Sequence, residues 1–319
     1  MSGISSRTAI QADEDALPAV TVVVPTKNAA RTLRACLASL RNQTHPCLVV
    51  VVDNFSADGT DAIAARDADR VLTAGPERSA QRNLGARAHP APVIGFIDAD
   101  MYLEPDVVAE VVAALDAGAG AVIVPEHTIG AGYWASVRAY ERSFYVGSDA
   151  IEAARFFRWE VFEATGGFDE TLTGAEDWDL TIAARAIAPI TRIAAAIVHD
   201  EGAVEYVAAC KKKAYYAPGF RRYVAKHGLS TASEALRRPW LRPSALASSR
   251  GIGLLALKAG EAIAATATLL RKSPGDSPCR PGSALPPPAT GAVGSQPAQA
   301  LPPSSGGGPG GPEAETLDG

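Results

Sequence analysis

Residues 93–100, Val-Ile-Gly-Phe-Ile-Asp-Ala-Asp, run from an apolar, β-forming stretch straight into two carboxylates spaced two apart. In an extended backbone, positions i and i+2 point to the same side, so Asp98 and Asp100 should leave the end of a buried strand together. The C-terminal ends of strands are where open α/β sheets bind ligands. A hard divalent cation carrying a diphosphate needs one or two carboxylates and keeps its other positions for phosphate oxygens and water. Asp-x-Asp is common on surfaces; its place at a strand end is what points to this chemistry.

Other chemistry-bearing residues have similar settings. Asp53 ends a second apolar run, Leu48–Val52, where an ionised carboxylate can only accept hydrogen bonds. It either receives a ligand N–H or caps the turn Asn54–Gly59. Arg78 and Arg82 lie four apart on one helix face, and a guanidinium fork suits phosphate; ordinary surface charge is the other reading. Thr173-Gly-Ala-Glu176 is a capping box, which predicts that Glu176 bonds the Thr173 backbone N–H and starts a helix carrying Asp177, Trp178 and Asp179. His199 follows the run Ile193–Val198, and imidazole beside carboxylates suits Mn²⁺ more than Mg²⁺.

The elements needed to position these groups are legible in the pattern. Val20–Val24 reads as a buried strand, followed by helical spacing of Leu33, Leu37 and Leu40 through about residues 30–43. Strands at Leu48–Val52, near Val71, at Val93–Ile97 and at Ala121–Val124 alternate with helices at about 77–88 and after Glu104-Pro105-Asp106. Such alternation implies right-handed crossovers and a largely parallel sheet. The second half is less regular, with a helix from about Gly174 and a strand at Ile193–Val198. No Gly-x-Gly-x-x-Gly follows the first strand, which excludes a dinucleotide-binding turn.

Composition bounds the rest. The chain has 319 residues, 47% hydrophobic and 20% charged, with a net charge of -5, which argues against a nucleic-acid binder. Cys36, Cys47, Cys210 and Cys279 are scattered without metal spacing and are expected as reduced thiols in a cytoplasmic protein. Residues 1–18 read as a disordered arm without a signal peptide. From Ser273 to Pro312 half the residues are Pro or Gly, so 273–319 reads as a disordered tail.

The ordered set Val-Thr-Val-Val-Val-Pro-Thr-Lys-Asn, Val-Val-Asp-Asn-Phe-Ser-Ala-Asp-Gly-Thr, Arg-Asn-Leu-Gly, Phe-Ile-Asp-Ala-Asp, Gly-Gly-Phe-Asp-Glu and Ala-Glu-Asp-Trp-Asp resembles the family 2 glycosyltransferases over about residues 19–228. One departure is Ala29, where many members carry Glu. The resemblance implies the GT-A fold, an α/β domain with a mostly parallel central sheet flanked by helices. It implies an inverting transfer of sugar from a nucleoside-diphosphate sugar to an acceptor hydroxyl, with Mn²⁺ or Mg²⁺. Carried onto this chain, it places Pro25, Thr26, Asn28, Asp53, Arg78, Arg82 and Asp98 at the nucleotide sugar, with Asp53 favouring a UDP-type donor. It places Asp100, Asp98 and His199 at the metal, Asp177 as general base with Glu176 beside it, and Trp178 and Asp179 at the acceptor. Two other readings stay open: a metal-dependent nucleotidyltransferase and a catalytically silent nucleotide-sugar binding module.

Residues 19–230 are thus expected as the transferase domain and 231–272 as an amphipathic helical segment. Within that segment Ser249–Arg271 is apolar, but Lys258 and Glu261 near its middle oppose membrane crossing. Together with the basic, aromatic-interleaved stretch Lys211–Lys226, it is expected either to lie on an anionic cytoplasmic membrane face, near a lipid-linked or cell-envelope acceptor, or to pack on the domain.

Overall fold

The computed structural model describes residues 19–149, 151–235 and 239–271, which fall within one compact unit. The expected arm 1–18, the expected tail 273–319 and Cys279 lie outside the described residues.

Strand β1 (Val20–Thr26) is buried along its whole length, as an uninterrupted apolar run covered on both faces should be. β2 (Leu48–Asp53) and β3 (Arg70–Thr73) extend the sheet in parallel on one side, and β4 (Val93–Phe96) does so on the other. β5 (Met101–Leu103), β6 (Ala121–Ile123), β7 (Glu126–Ala131), β8 (Ala154–Arg158), β9 (Ile190–Arg192) and β10 (Ile197–Ala203) complete the strands. The main sheet has the order β3-β2-β1-β4-β8-β6-β9. Every pairing in it is parallel except those of β8, which runs antiparallel to both β4 and β6. A second sheet, β5-β10-β7, pairs β10 antiparallel to β5 and parallel to β7.

Side-chain alternation sorts the core. Val20, Val22 and Val24 pack with α1 (Leu33–Arg41), α2 (Thr60–Asp67) and, further along the sheet, α4 (Val107–Asp116). Val23, Val50 and Val52 face the opposite layer, α3 (Arg78–Ala88), α6 (Trp159–Thr165) and α7 (Glu176–Arg185). Gly85 explains the close seat of α3, since a Cβ there would meet Val23 Cγ1 at 2.5 Å and Val52 Cγ2 at 3.0 Å. The third cluster joins α5 (Tyr133–Ser143), α8 (Tyr206–Ala235) and α10 (Ser249–Arg271), with Trp240 and the short α9 (Pro243–Leu246) between them. α8 is broken at Gly228, whose φ is 80°.

Two expectations shift. The run Ile193–Val198 is not one strand: a bend at Ala194–Ala195 separates β9 from β10. His199 therefore lies within β10 rather than beyond a strand. Second, β5, β7 and β10 form a sheet of their own, which short, partly polar segments did not announce. Cys36, Cys47 and Cys210 are unpaired thiols. Burial, helped by Asp100 and Asp98, holds the Cys36 thiol above its ordinary range.

Candidate functional site

Arg82 organises the cleft. Its helix is fixed on the sheet by Gln81 Nε2, which donates to the Thr26 carbonyl at 3.0 Å. The Arg82 side chain is 0% exposed and its guanidinium serves three carboxylates. Nη2 donates to Asp98 Oδ1 at 2.6 Å, and Nη1 to Asp177 Oδ1 at 2.9 Å and Glu176 Oε1 at 3.4 Å. The Phe168 ring covers the guanidinium, 5.0 Å from Cζ to centroid. Opposite lies Arg155 of β8, also buried, which donates to Glu126 Oε1 through Nη2 (2.6 Å) and Nε (3.0 Å). Its Nη1 has no hydrogen-bond partner and stands 3.6 Å from Asp98 Oδ2 and 3.9 Å from Asp177 Oδ2. Two guanidiniums thus bracket two carboxylates. Burial alone would raise the Asp98 carboxyl, but Arg82, Arg155 and Arg78 hold it well below the usual carboxylate range.

This geometry revises the part expected of Arg82. The guanidinium is committed to carboxylates, so any phosphate contact there would compete with three existing ion pairs. Arg78 is more open, with its side chain 40% exposed and Nη2 on Glu176 Oε1 at 2.9 Å.

The start of α7 also differs from expectation. Ala175 is the N-cap, and no capping box forms. Glu176 Oε2 instead accepts from the Gly174 N–H at 2.5 Å, while its other oxygen faces Arg78 and Arg82. The loop is held from behind by α8: Gly174, at φ +87°, faces the Tyr216 side chain, and Gly219 lies directly on the Thr173 backbone. Asp177 points to the two arginines and is 29% exposed. Its helix neighbours turn away by the 100° step. Trp178 Nε1 donates to the Ile151 carbonyl at 2.7 Å and its ring packs on Tyr223. Asp179 is buried against Lys226 Nζ (2.9 Å) and His227 Nε2 (2.6 Å). Both expected acceptor contacts therefore brace α7 on α8.

Asp100 and His199 meet across the second sheet, where His199 is paired with Met101 in the β5–β10 ladder. His199 Nε2 lies 3.4 Å from Asp100 Oδ2, and Nδ1 lies 3.7 Å from Glu126 Oε2 without a hydrogen bond. Burial alone would lower the imidazole pKa, but Asp100 and Glu126 on either side raise it to about 9. Among the described residues no group of three or more His, Cys, Asp or Glu side chains is assembled for a metal. Asp98 is engaged by Arg82 and faces Arg155. Asp100, whose carboxylate is 40% exposed, and His199 supply one oxygen and one nitrogen donor, which fits a cation completed by phosphate oxygens and water.

At the other end, Asp53 takes the turn-capping role of its two readings. Its Oδ2 accepts from the Ser56 N–H at 2.9 Å, and Oδ1 from Ser56 Oγ at 2.6 Å and Thr26 Oγ1 at 2.9 Å, so it does cap the turn. Asn28, in the left-handed region at φ 50°, ties the β1–α1 loop to this turn through Ala57 N–H to Oδ1 at 3.0 Å. Pro25 and Thr26 are buried at the end of β1. A cavity of about 410 Å³ opens beyond the Glu176 loop, lined by Glu77, Thr173, Tyr215, Arg222 and Thr268 among others.

Sequence reasoning missed Arg155 and Glu126. The available signal was a cation inside the apolar run Ala154–Arg158, where an unpaired charge could not be buried. Glu126 carried no such mark.

Comparison with known proteins bears on the fold and the family of this cleft. Residues 21–168, just under half of the chain, match the profile of Glycosyl transferase family 2, and the chain has the GT-A fold. The fold is shared with a mannosyltransferase of Pyrobaculum calidifontis solved with GDP-Man and Mn²⁺. That likeness has a TM-score of 0.52 at 22% identity and covers 80% of this chain and 84% of that one. The glycosyltransferase AglE of Haloferax volcanii is 35% identical over 94 residues, 26% of this chain and 31% of its own length. An uncharacterized glycosyltransferase of Mycobacterium bovis is 33% identical over 117 residues, 36% of this chain and 52% of its own. The matched stretches thus span about a third to half of these relatives.

Proposed function

We propose that the protein transfers a sugar from a nucleoside-diphosphate sugar to an acceptor hydroxyl with inversion. One observation carries the reading: Arg82 joins Asp98, just past β4, to Asp177 in the first turn of α7, beside the Asp100–His199 pair. A donor-side carboxylate and an exposed base then lie within the span of one guanidinium. Asp177 takes the proton of the attacking hydroxyl, which adds to the anomeric carbon as the diphosphate leaves from the opposite face. Positive charge develops on the sugar as in other glycosyl chemistry. Arg82 holds Asp177 Oδ1 and leaves Oδ2, 3.9 Å from Arg155, to take the proton, so the base need not be oriented at the moment of reaction.

Asp100 and His199 would hold Mn²⁺ or Mg²⁺, which neutralises charge on the diphosphate. Support comes from their convergence at the cleft and from the Mn²⁺ bound in the Pyrobaculum mannosyltransferase. Asp53 keeps lone-pair capacity beyond its turn contacts for one base N–H, which favours a uracil-type donor. The acceptor approaches through the cavity at Thr173 and Tyr215, between α8 and the end of α10, a route suited to a lipid-linked or cell-envelope acceptor.

Product analysis with candidate donors and Mn²⁺ tests the proposal. Free nucleoside diphosphate with a glycosylated acceptor is the expected result. Release of pyrophosphate would identify nucleotidyl transfer instead, and donor binding without turnover would identify a silent binding module.

A further inference from the structure

α10 is amphipathic in the opposite sense to a water-facing surface helix. Its two central charged residues, Lys258 and Glu261, turn inward. Arg138 of α5 donates to Glu261 Oε1 at 2.6 Å and to Glu141 Oε2 at 3.0 Å, while Lys258 bonds Glu141 Oε1 at 2.6 Å and Glu261 Oε2 at 2.8 Å. These four side chains form a closed ring in which both carboxylates are buried, and Gly253, Leu254 and Leu257 pack beside it. Lys258 and Glu261, which speak against membrane crossing in the sequence, are therefore the anchors that dock the helix on α5.

The outward face carries the apolar residues. Ile252, Leu255, Ala256, Ala259, Ala262, Ile263, Thr266, Ala267 and Leu270 are all exposed and fall within one arc at 100° per residue. Ile263 is 71% exposed and Leu270 81%, values that a large aliphatic residue in a monomer's core-facing stripe does not have. This stripe holds no charge over five helical turns, about 27 Å.

Charge names the occupant. Across residues 239–271 the only acid is Glu261, which is buried, whereas Arg242, Arg250 and Arg271 are exposed. The helix alongside α10 adds the exposed Lys211 and Lys212, whereas Lys213 faces the buried ring. The exposed charges of residues 239–271 are thus all positive, in a chain whose net charge is -5. We propose that this face of α10 lies flat on an anionic lipid bilayer, the apolar stripe entering the headgroup–acyl boundary and Arg271, beside its end, meeting lipid phosphates. A bilayer fits a stripe that carries no charge and whose own segment exposes only cations. The proposal is independent of the transfer reaction.

The test is co-sedimentation of the full chain with phosphatidylcholine vesicles with and without phosphatidylglycerol, at two salt concentrations. Binding should need the anionic lipid and weaken with salt as its screening length shortens. The double substitution Ile263→Glu and Leu270→Glu should lower binding at least ~tenfold, since two apolar contacts are lost and two like charges gained. Both sites are exposed, so the melting temperature and the nucleotide-induced thermal shift should stay unchanged. Absence of vesicle binding, or binding indifferent to the double substitution, overturns the proposal. So does a wild-type dimer that the substitution converts to a monomer, which would make the face an interface between copies. Vesicle binding that appears only after removal of residues 273–319 would show instead that the tail covers it.

Discussion

Arg82→Met is the most informative single perturbation, because it removes charge while keeping length and apolar volume. In the folded protein the lost guanidinium leaves Asp98, Asp177 and Glu176 with two remaining cations, Arg155 at 3.6 and 3.9 Å and Arg78 at 2.9 Å. At an effective dielectric constant near 20, one pair at 4 Å is worth about 4 kcal/mol. Breaking a buried pair by deleting one partner costs about 3–5 kcal/mol. Asp98 and Asp177 are 18% and 29% exposed, so cleft water recovers part of the loss and the low end applies, about 3 kcal/mol. For a domain of this size, that corresponds to a fall in melting temperature of about 6–12 °C. Thermal unfolding by circular dichroism reads it directly. Adding Asp98→Asn to Arg82→Met should restore part of the loss, since it removes the stranded charge, and the double-mutant cycle isolates the coupling. A single variant melting within about 2 °C of wild type, on the same scale, would refute the view that this guanidinium compensates the carboxylates.

Three further outcomes follow from the geometry. Asp177→Asn should leave donor binding nearly intact and lower transfer by ~10²–10⁴, read by product mass; near-wild-type transfer would remove Asp177 as base. Asp100→Ala should abolish the metal-dependent part of donor binding, and His199→Ala should reduce it; equal activity in chelator and in Mn²⁺ would remove the cation from the reaction. Burial alone would raise the Glu261 carboxyl, but Arg138 and Lys258 hold it below its ordinary value. A depressed folded pKa gives stability that is present above the unfolded value, about 4.3, and is lost as pH falls through the folded one. Glu261→Gln should therefore lower the melting temperature at pH 7 and less so towards pH 3, followed by tryptophan fluorescence; a gap constant with pH would contradict this.

β1, β2 and β4 were legible because they are buried on both faces and read as largely apolar, Val-rich runs, whereas β3 is a short, mostly exposed edge. Asp53, Asp98, Asp100, Arg82 and Asp177 were legible as candidates from strand ends and motif order. Their partners were not. Arg82 looks like a phosphate ligand in sequence, and only the fold reveals the carboxylates around it, which come from 16, 94 and 95 residues away. Trp178 and Asp179 share a motif with Asp177, yet the helical step sends them to α8. The capping box failed because Gly174, rather than Thr173, presents its N–H to Glu176. The split of Ile193–Val198 into β9 and β10 escaped because a bend among small apolar residues leaves hydrophobicity unbroken.

The register of the second sheet has a kinetic consequence. Asp100 and His199 are brought together by one antiparallel pairing, His199 opposite Met101, between strands about a hundred residues apart in the chain. Side chains alternate along a strand, so a slip of a single residue would turn the imidazole to the other face. Closing so long a loop is entropically slow compared with the local β–α–β steps that build the Asp53 end. A refolding chain would therefore assemble its nucleotide end before its candidate cation pair exists, and metal-dependent binding would return later than nucleotide binding.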